Sequence, residues 1–260
     1  RIDDQLVALL NQRAQIALDV GAVKAQASMK MYAPERERQL MERLIAKNSG
    51  PLPEESLHLI YKEIISASLA LESPLHVAFL GSEAGFTHEA TKYHFGLSAQ
   101  THAYRTIAEV LHEVSTGRAN YAVVPIEDIH EGLALHTLEN LANSGLTIVS
   151  EVLLDVCYHV LTRTGDLQGV HCIYSPLYVF EQCRTWLEHH MPHATHRDVE
   201  SIAAGARLAA EDLHAGAIGS ELAGSRYGLR SAAAQIGNQG HNITRFFIIG
   251  NETLPPTGQD

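Results

Sequence analysis

The sequence is short of cysteine, of tryptophan and of positive charge. The three cysteines (Cys157, Cys172 and Cys183) in 260 residues are an odd set with no metal-like spacing. That argues against a disulfide framework and for reduced thiols in a cytoplasmic protein. Nineteen lysines and arginines face thirty acidic residues, for a net charge of −11. With no dense basic run, nucleic acid and anionic membrane are not expected partners. No apolar stretch reaches 18 residues, so no transmembrane helix is expected. Aromatics are only 6% of the chain, yet hydrophobic residues make up 45%, enough for a packed core. Charged residues at 19% are too few for extended disorder.

Histidine is the plentiful titratable residue, with 16 copies. His189 and His193 would share a helix face beside His190 and His196. Pro192 interrupts that helix, however, and no carboxylate or cysteine joins at ligand spacing. A solvated surface is the reading, with neither metal nor cofactor implied.

Two kinds of pattern divide the chain. From Ile2 to about Lys30 apolar residues recur at helical spacing (Ile2, Leu6, Leu9, Leu10, Ile16, Ala17, Val20, Val23), with Gly21 the single glycine. Such a helix is about 40 Å long, more than a seventy-residue module buries alone, so a partner subunit is expected to cover part of it. Pro34, followed by Glu35 and Glu37, opens a second helix to about Lys47. Pro53-Glu54-Glu55 opens a third, to about Glu72. After Ser73-Pro74 short apolar runs alternate with helical ones. Strands are predicted at His76–Leu80, Tyr121–Pro125, Leu146–Val149, Cys157–Leu161, Cys172–Tyr174, Ala217–Gly219 and Phe246–Ile249. Helices are predicted at Ile107–Val114, Val179–His190 and Ile202–Glu211. The expected organisation is a helical domain over 1–73, an α/β domain over 74–252 and a linker tail over 253–260.

Arg13 and Lys24 are eleven residues apart, about 16 Å along one helix face. Arg36 and Glu37 lie on the second helix, and Ser68 and Glu72 share a face of the third. Spacing alone leaves two readings open: a solvated surface, or a polar pocket between helices.

Five separated motifs carry a resemblance: Ile2-Asp3-Asp4-Gln5-Leu6, Leu9-Leu10-Asn11-Gln12-Arg13, Val20-Gly21-Ala22-Val23-Lys24, Pro34-Glu35-Arg36-Glu37 and Ile64-Ile65-Ser66-Ala67-Ser68. Together they resemble the all-α helical chorismate mutases. That resemblance implies an intertwined homodimer and conversion of chorismate to prephenate. Arg13 and Arg36 would hold substrate carboxylates, Lys24 and Glu72 would approach the ether oxygen, Glu37 would bond the substrate hydroxyl, and Ser68 would line the pocket. The family's first arginine falls upstream of Arg1, outside these 260 residues. Ala33 stands where some members carry an aspartate.

The second region resembles prephenate dehydratase, a two-lobed, periplasmic-binding-protein-like α/β fold with its site in the cleft. The resemblance rests on Ala78–His88, Val123-Val124-Pro125-Ile126-Glu127, Glu131-Gly132, Glu151-Val152, Tyr174-Ser175, Gln182-Cys183, Ala217-Ile218-Gly219-Ser220 and Thr244-Arg245-Phe246. The order of the two regions is that of the bifunctional enzymes of phenylalanine biosynthesis. Those enzymes carry a regulatory ACT domain after a linker like this tail, and the 260 residues do not include one. By resemblance Thr244 would engage the leaving hydroxyl. Thr87, Glu127, Asp128, His130, Ser175, Gln182 and Arg245 would complete the pocket, with Arg245 either structural or holding a carboxylate.

Departures cluster at the pocket motifs. Glu127-Asp128-Ile129-His130-Glu131-Gly132 replaces a run with an amide and two hydroxyls. Ala84-Gly85-Phe86-Thr87 stands for Gly-Thr-Phe-Ser, and Ser175-Pro176-Leu177-Tyr178 for Ser-His-Pro-Gln. A carboxylate at Asp128 would repel a dianion by about 4 kcal/mol before relaxation. Three outcomes stay open: a working dehydratase, an altered substrate or product such as decarboxylation without aromatisation, and a binding module without chemistry. Thr87 is the predicted N-cap of the helix after Gly81.

Overall fold

The computed structural model describes residues 1–26, 34–128, 132–133, 135–238 and 242–251. The chain divides into two compact units, Arg1–His76 with Lys92–Gln100, and Val77–Thr91 with Thr101–Asp260.

The first unit is built on three helices, α1 (Ile2–Gln26), α2 (Pro34–Lys47) and α3 (Glu54–Glu72). Asp3 and Asp4 in the first turn of α1 and Lys24 in its last match the helix dipole. The predicted continuation of α1 to Lys30, like Ala33, lies outside the described residues. Ala17 and Gly21 are the buried residues of α1, flanked by half-buried Arg13, Ala14, Val20 and Lys24. That stripe faces α3 on the side of its buried Ile65 and Ser68. Gly21 sets the approach: a β-carbon there would lie 2.9 Å from the Cα of Glu72. Lys92–Gln100 belongs to the same unit, where Leu97 N–H donates to Glu63 Oε2 (3.1 Å) and Ser98 N–H to Ser66 Oγ (3.3 Å).

The second unit has two lobes, each a mixed sheet with helices. Its elements are β1 (His76–Leu80), α4 (Phe86–Phe95), β2 (Gln100–Tyr104), α5 (Ile107–Ser115), β3 (Tyr121–Asp128), β4 (Gly132–Leu133), α6 (Leu135–Ser144) and β5 (Thr147–Asp155) in the first stretch. There follow β6 (His159–Thr162), β7 (Cys172–Ser175), α7 (Leu177–His190), β8 (Thr195–Asp198), α8 (Ile202–Glu211), β9 (Ala215–Gly219), α9 (Glu221–Tyr227), β10 (Arg230–Ala233) and β11 (Ile243–Gly250). The first sheet runs β2-β1-β3-β11-β5 with β4 on β3, and the second β10-β6-β9-β7-β8. β1 and β3 are parallel, as are β7, β8 and β9, while β11 runs antiparallel to β3 and β5. Val77, Ala78, Phe79, Val123, Val124, Ile248 and Ile249 form the core of one lobe and Val160, Ile173, Ala217 and Ile218 that of the other.

β5 leaves the first lobe and β11 returns to it, so the chain crosses between lobes twice. The crossings are tied together: Val156 N–H donates to Asn242 O (2.8 Å) and Asn242 N–H to Asp155 Oδ1 (3.2 Å). Two predicted strands shift for this reason. The run from Leu146 continues to Asp155, and that from Cys157 begins only at His159, because Val156–Tyr158 make the crossing. β2, β4, β8 and β10 have no counterpart among the predicted strands; β8 is exposed at every position and β2 at three of five.

Candidate active sites

The three helices of the first unit enclose a cavity of about 230 Å³, the scale of one small ring with its substituents. Its polar lining is Arg13, Lys24, Arg36, Glu37, Ser68 and Glu72, the six residues picked out by sequence. Ile16, Ala17, Val20, Leu40, Ile65 and Leu69 supply the apolar wall, which spacing did not single out. Lys24 Nζ donates to Glu72 Oε2 at 2.7 Å, with both side chains largely covered (14% and 10% exposed). Arg13 Nη1 donates to Ser68 Oγ and, at 3.3 Å, to Ile64 O, while Ser68 Oγ donates to Ile64 O at 2.7 Å. Burial pushes the Glu37 carboxyl up to about 7. The cavity therefore sets Arg13, Lys24 and Arg36 against Glu72 and a Glu37 that is neutral below that pH. It carries surplus positive charge, suited to an anion with more than one carboxylate.

In the α/β unit the marked residues gather at the carboxyl ends of the parallel strands, where such sheets bind ligands. Thr87 follows β1, Ser175 ends β7, and Glu127 and Asp128 end β3. Thr244 opens β11, with its main chain in register opposite Asp128 and that of Arg245 opposite Glu127. Of Glu127 and Asp128 only the main chain is described, and Ile129, His130 and Glu131 lie outside the described residues. Ser175 is fully buried, and its Oγ has no hydrogen-bond partner among the described residues.

One expectation needs correction, and one carried two alternatives. Thr87 is not a cap: α4 begins at Phe86, and Thr87 lies within its first turn, its carbonyl accepting from Thr91 Oγ1 at 2.7 Å. The preceding turn closes earlier, because Ala84 takes a left-handed conformation (φ 60°) and its N–H donates to His88 Nδ1 at 3.0 Å. Gly85, one place along, does not need positive φ. Thr244 and Arg245 are adjacent on a strand, so their side chains point to opposite faces. Thr244 is buried, whereas Arg245 Nε lies 3.7 Å from Glu151 Oε2 on β5, which favours the structural role for Arg245. Gln182 lies about 7 Å down α7 from its start. There its main-chain carbonyl accepts Asn238 N–H at 2.7 Å.

Comparison with known proteins now bears on both units. The family model of chorismate mutase type II matches residues 1–73, and that of prephenate dehydratase matches residues 77–254. The chain belongs to the bifunctional chorismate mutase/prephenate dehydratases. It is 40% identical over 264 residues to the bifunctional chorismate mutase/prephenate dehydratase of Aquifex aeolicus, covering 100% of this chain and 73% of that one. To the relative of the same name from Pseudomonas aeruginosa it is 37% identical, with the same 100% and 73% covered. Among solved structures it is similar to a prephenate dehydratase from Arthrobacter aurescens in complex with L-Phe, at 29% identity and a TM-score of 0.63. That match covers 70% of this chain and 62% of the other. Both the helical module and the two-sheet α/β fold are those of this family. No helix among the described residues is long and apolar enough to cross a membrane.

Proposed function

We propose that the chain is a cytoplasmic enzyme that converts chorismate to prephenate in the helical cavity, and prephenate to phenylpyruvate at the strand ends of the α/β unit. The observation that carries the reading is the convergence of Arg13, Lys24, Arg36, Glu37, Ser68 and Glu72 on one cavity. The first reaction breaks the ether C–O bond as a new C–C bond forms within one molecule, so no nucleophile or cofactor is needed. What the protein supplies is a compact conformer and positive charge where the ether oxygen gains electron density. Arg13 and Arg36 take the two carboxylates, Ser68 holds Arg13 in place, and Glu37 takes the ring hydroxyl. Lys24 donates to the ether oxygen, and Glu72 holds Lys24 in place through their ion pair.

In the second reaction carbon dioxide and hydroxide leave together and the ring becomes aromatic. Its main demand is a proton donor at the departing hydroxyl. Thr244 takes that role, and Ser175, Thr87, Glu127, Asp128 and His130 are assigned to the same pocket. Support comes from Thr244 opening β11 beside the carboxyl end of β3, with its main chain opposite Asp128. A homodimer through the helical module follows from α1, where Leu6, Leu9, Ile16 and Val23 are 52%, 60%, 62% and 63% exposed.

The test is to add chorismate and measure phenylpyruvate and carbon dioxide. Equal amounts of both are expected. Carbon dioxide without an aromatic product would instead assign an altered outcome to Asp128, Ile129 and His130, and accumulated prephenate alone would contradict the second activity.

A further inference from the structure

Three residues of the turn after β1 and the start of α4 meet the other lobe of the α/β unit or the crossing that leads to it. Glu83 accepts a hydrogen bond from Arg226 Nη2 in the last turn of α9. Phe86 sets its ring edge-on to Tyr158, with centroids 5.1 Å apart and planes at 88°. Glu89 is half-buried near Ser220, the residue that caps α9, whose hydroxyl partly offsets the upward push of burial on the Glu89 carboxyl. Glu83, Phe86 and Glu89 are three residues apart, the spacing of a single helix face.

The other side of the same turn is fixed to its own lobe. His88 is buried and stacks on Phe79 with ring centroids 4.8 Å apart. Its Nδ1 accepts from Ala84 N–H, so Nε2 carries the proton and donates to Thr101 Oγ1 at 3.1 Å. The turn is thus rigid on one lobe and presents three groups to the other, from Tyr158 at the crossing to Arg226 at the surface.

We propose that Glu83, Phe86 and Glu89 are positioning residues of the dehydratase, a clasp that holds the two lobes closed over prephenate. The inference rests on the dehydratase reading of this unit. Lobes joined by a paired crossing open and close as a hinge, and the share of closed molecules sets the apparent affinity for substrate. Glu83 and Arg226 are 48% and 43% exposed, so their pair is weak enough to break for substrate entry and product exit. Phe86 and Glu89 hold the inner part of the contact.

The experiment uses the full chain with Glu83→Arg, Arg226→Glu and the double exchange, assayed on prephenate. Each single variant is expected to raise KM about three- to fivefold with kcat nearly unchanged, the effect of one exposed pair. The double exchange restores the pair and returns KM towards wild type, while chorismate turnover by all three stays constant. Unchanged KM in the single variants, or a double variant no better than the singles combined, overturns the clasp. Should wild-type protein release no carbon dioxide from prephenate, it is the dehydratase reading that fails. The clasp is then judged by hydrogen exchange at the amides of 84–89. Faster exchange in the single variants, restored in the double, upholds it, and unchanged exchange overturns it.

Discussion

The two units build their sites in opposite ways. The helical unit has few buried residues on α1 and leaves much of that helix's apolar surface exposed, so its cavity depends on charged side chains held by one close helix approach. The α/β unit has fully buried strands in both lobes and places its polar groups at their ends, on a scaffold that barely depends on them. Changes near Gly21 therefore reach the chemistry of the first unit directly, whereas in the second a pocket residue can change while the sheets stay intact. The departures at Ala84, Gly85 and Asp128 fall at strand ends or in the turns that follow them, as this contrast expects.

Breaking the cation of the helical cavity gives the largest expected effect. Lys24→Met removes the proposed donor to the ether oxygen and should lower the mutase kcat by about 10²–10³-fold, as for other charge-stabilising donors. Prephenate turnover by the same protein should stay within a factor of about two, since Lys24 belongs to the helical unit. Equal loss of both activities would mean that the units are not independent. Next comes Gly21→Ala. Its methyl would overlap the Cα of Glu72, forcing α1 from α3 and separating Lys24 from Glu72. A displacement of this kind should cost the mutase about 10–100-fold. Full mutase activity would show that the approach is not needed.

A pH profile sharpens the contrast further. Glu37, pushed up to about 7 by burial, is neutral below that pH and anionic above it, beside a dianionic substrate. Mutase kcat/KM should fall as pH rises through 7, and Glu37→Gln should remove that limb. A pH-independent wild type would refute this role of Glu37. The smallest effect is on stability. The native state holds the Glu37 proton more tightly than the unfolded chain, so between about 4.5 and 7 stability falls as pH rises. By pH 8 Glu37→Gln should be about 2–3 kcal/mol more stable than wild type in urea melts, and equal to it near pH 4.

How much of this was legible in the sequence differs between the units in the same way. Helical spacing put Arg13 and Lys24 on one face and Ser68 and Glu72 on another, and resemblance joined them to Arg36 and Glu37. The apolar strands of the α/β core were readable because they are buried on both faces. β2, β8 and β10 were not, since Gln100-Thr101-His102 and Thr195-His196-Arg197 are polar edge segments with no alternation to mark them. Thr87 was taken for a cap because nothing local signals that Ala84 adopts the left-handed turn and hands the helix start to Phe86. The Glu83, Phe86 and Glu89 stripe has meaning only once β6–β10 fold into a second lobe, so its spacing carried no message until Tyr158, Ser220 and Arg226 were in place.

The most direct test of two separate sites is Thr244→Val supplied with chorismate, with prephenate and phenylpyruvate followed together. The account predicts that chorismate disappears at the wild-type rate and is recovered as prephenate, without carbon dioxide. Phenylpyruvate formed at the wild-type rate, or chorismate left unconsumed, would contradict it.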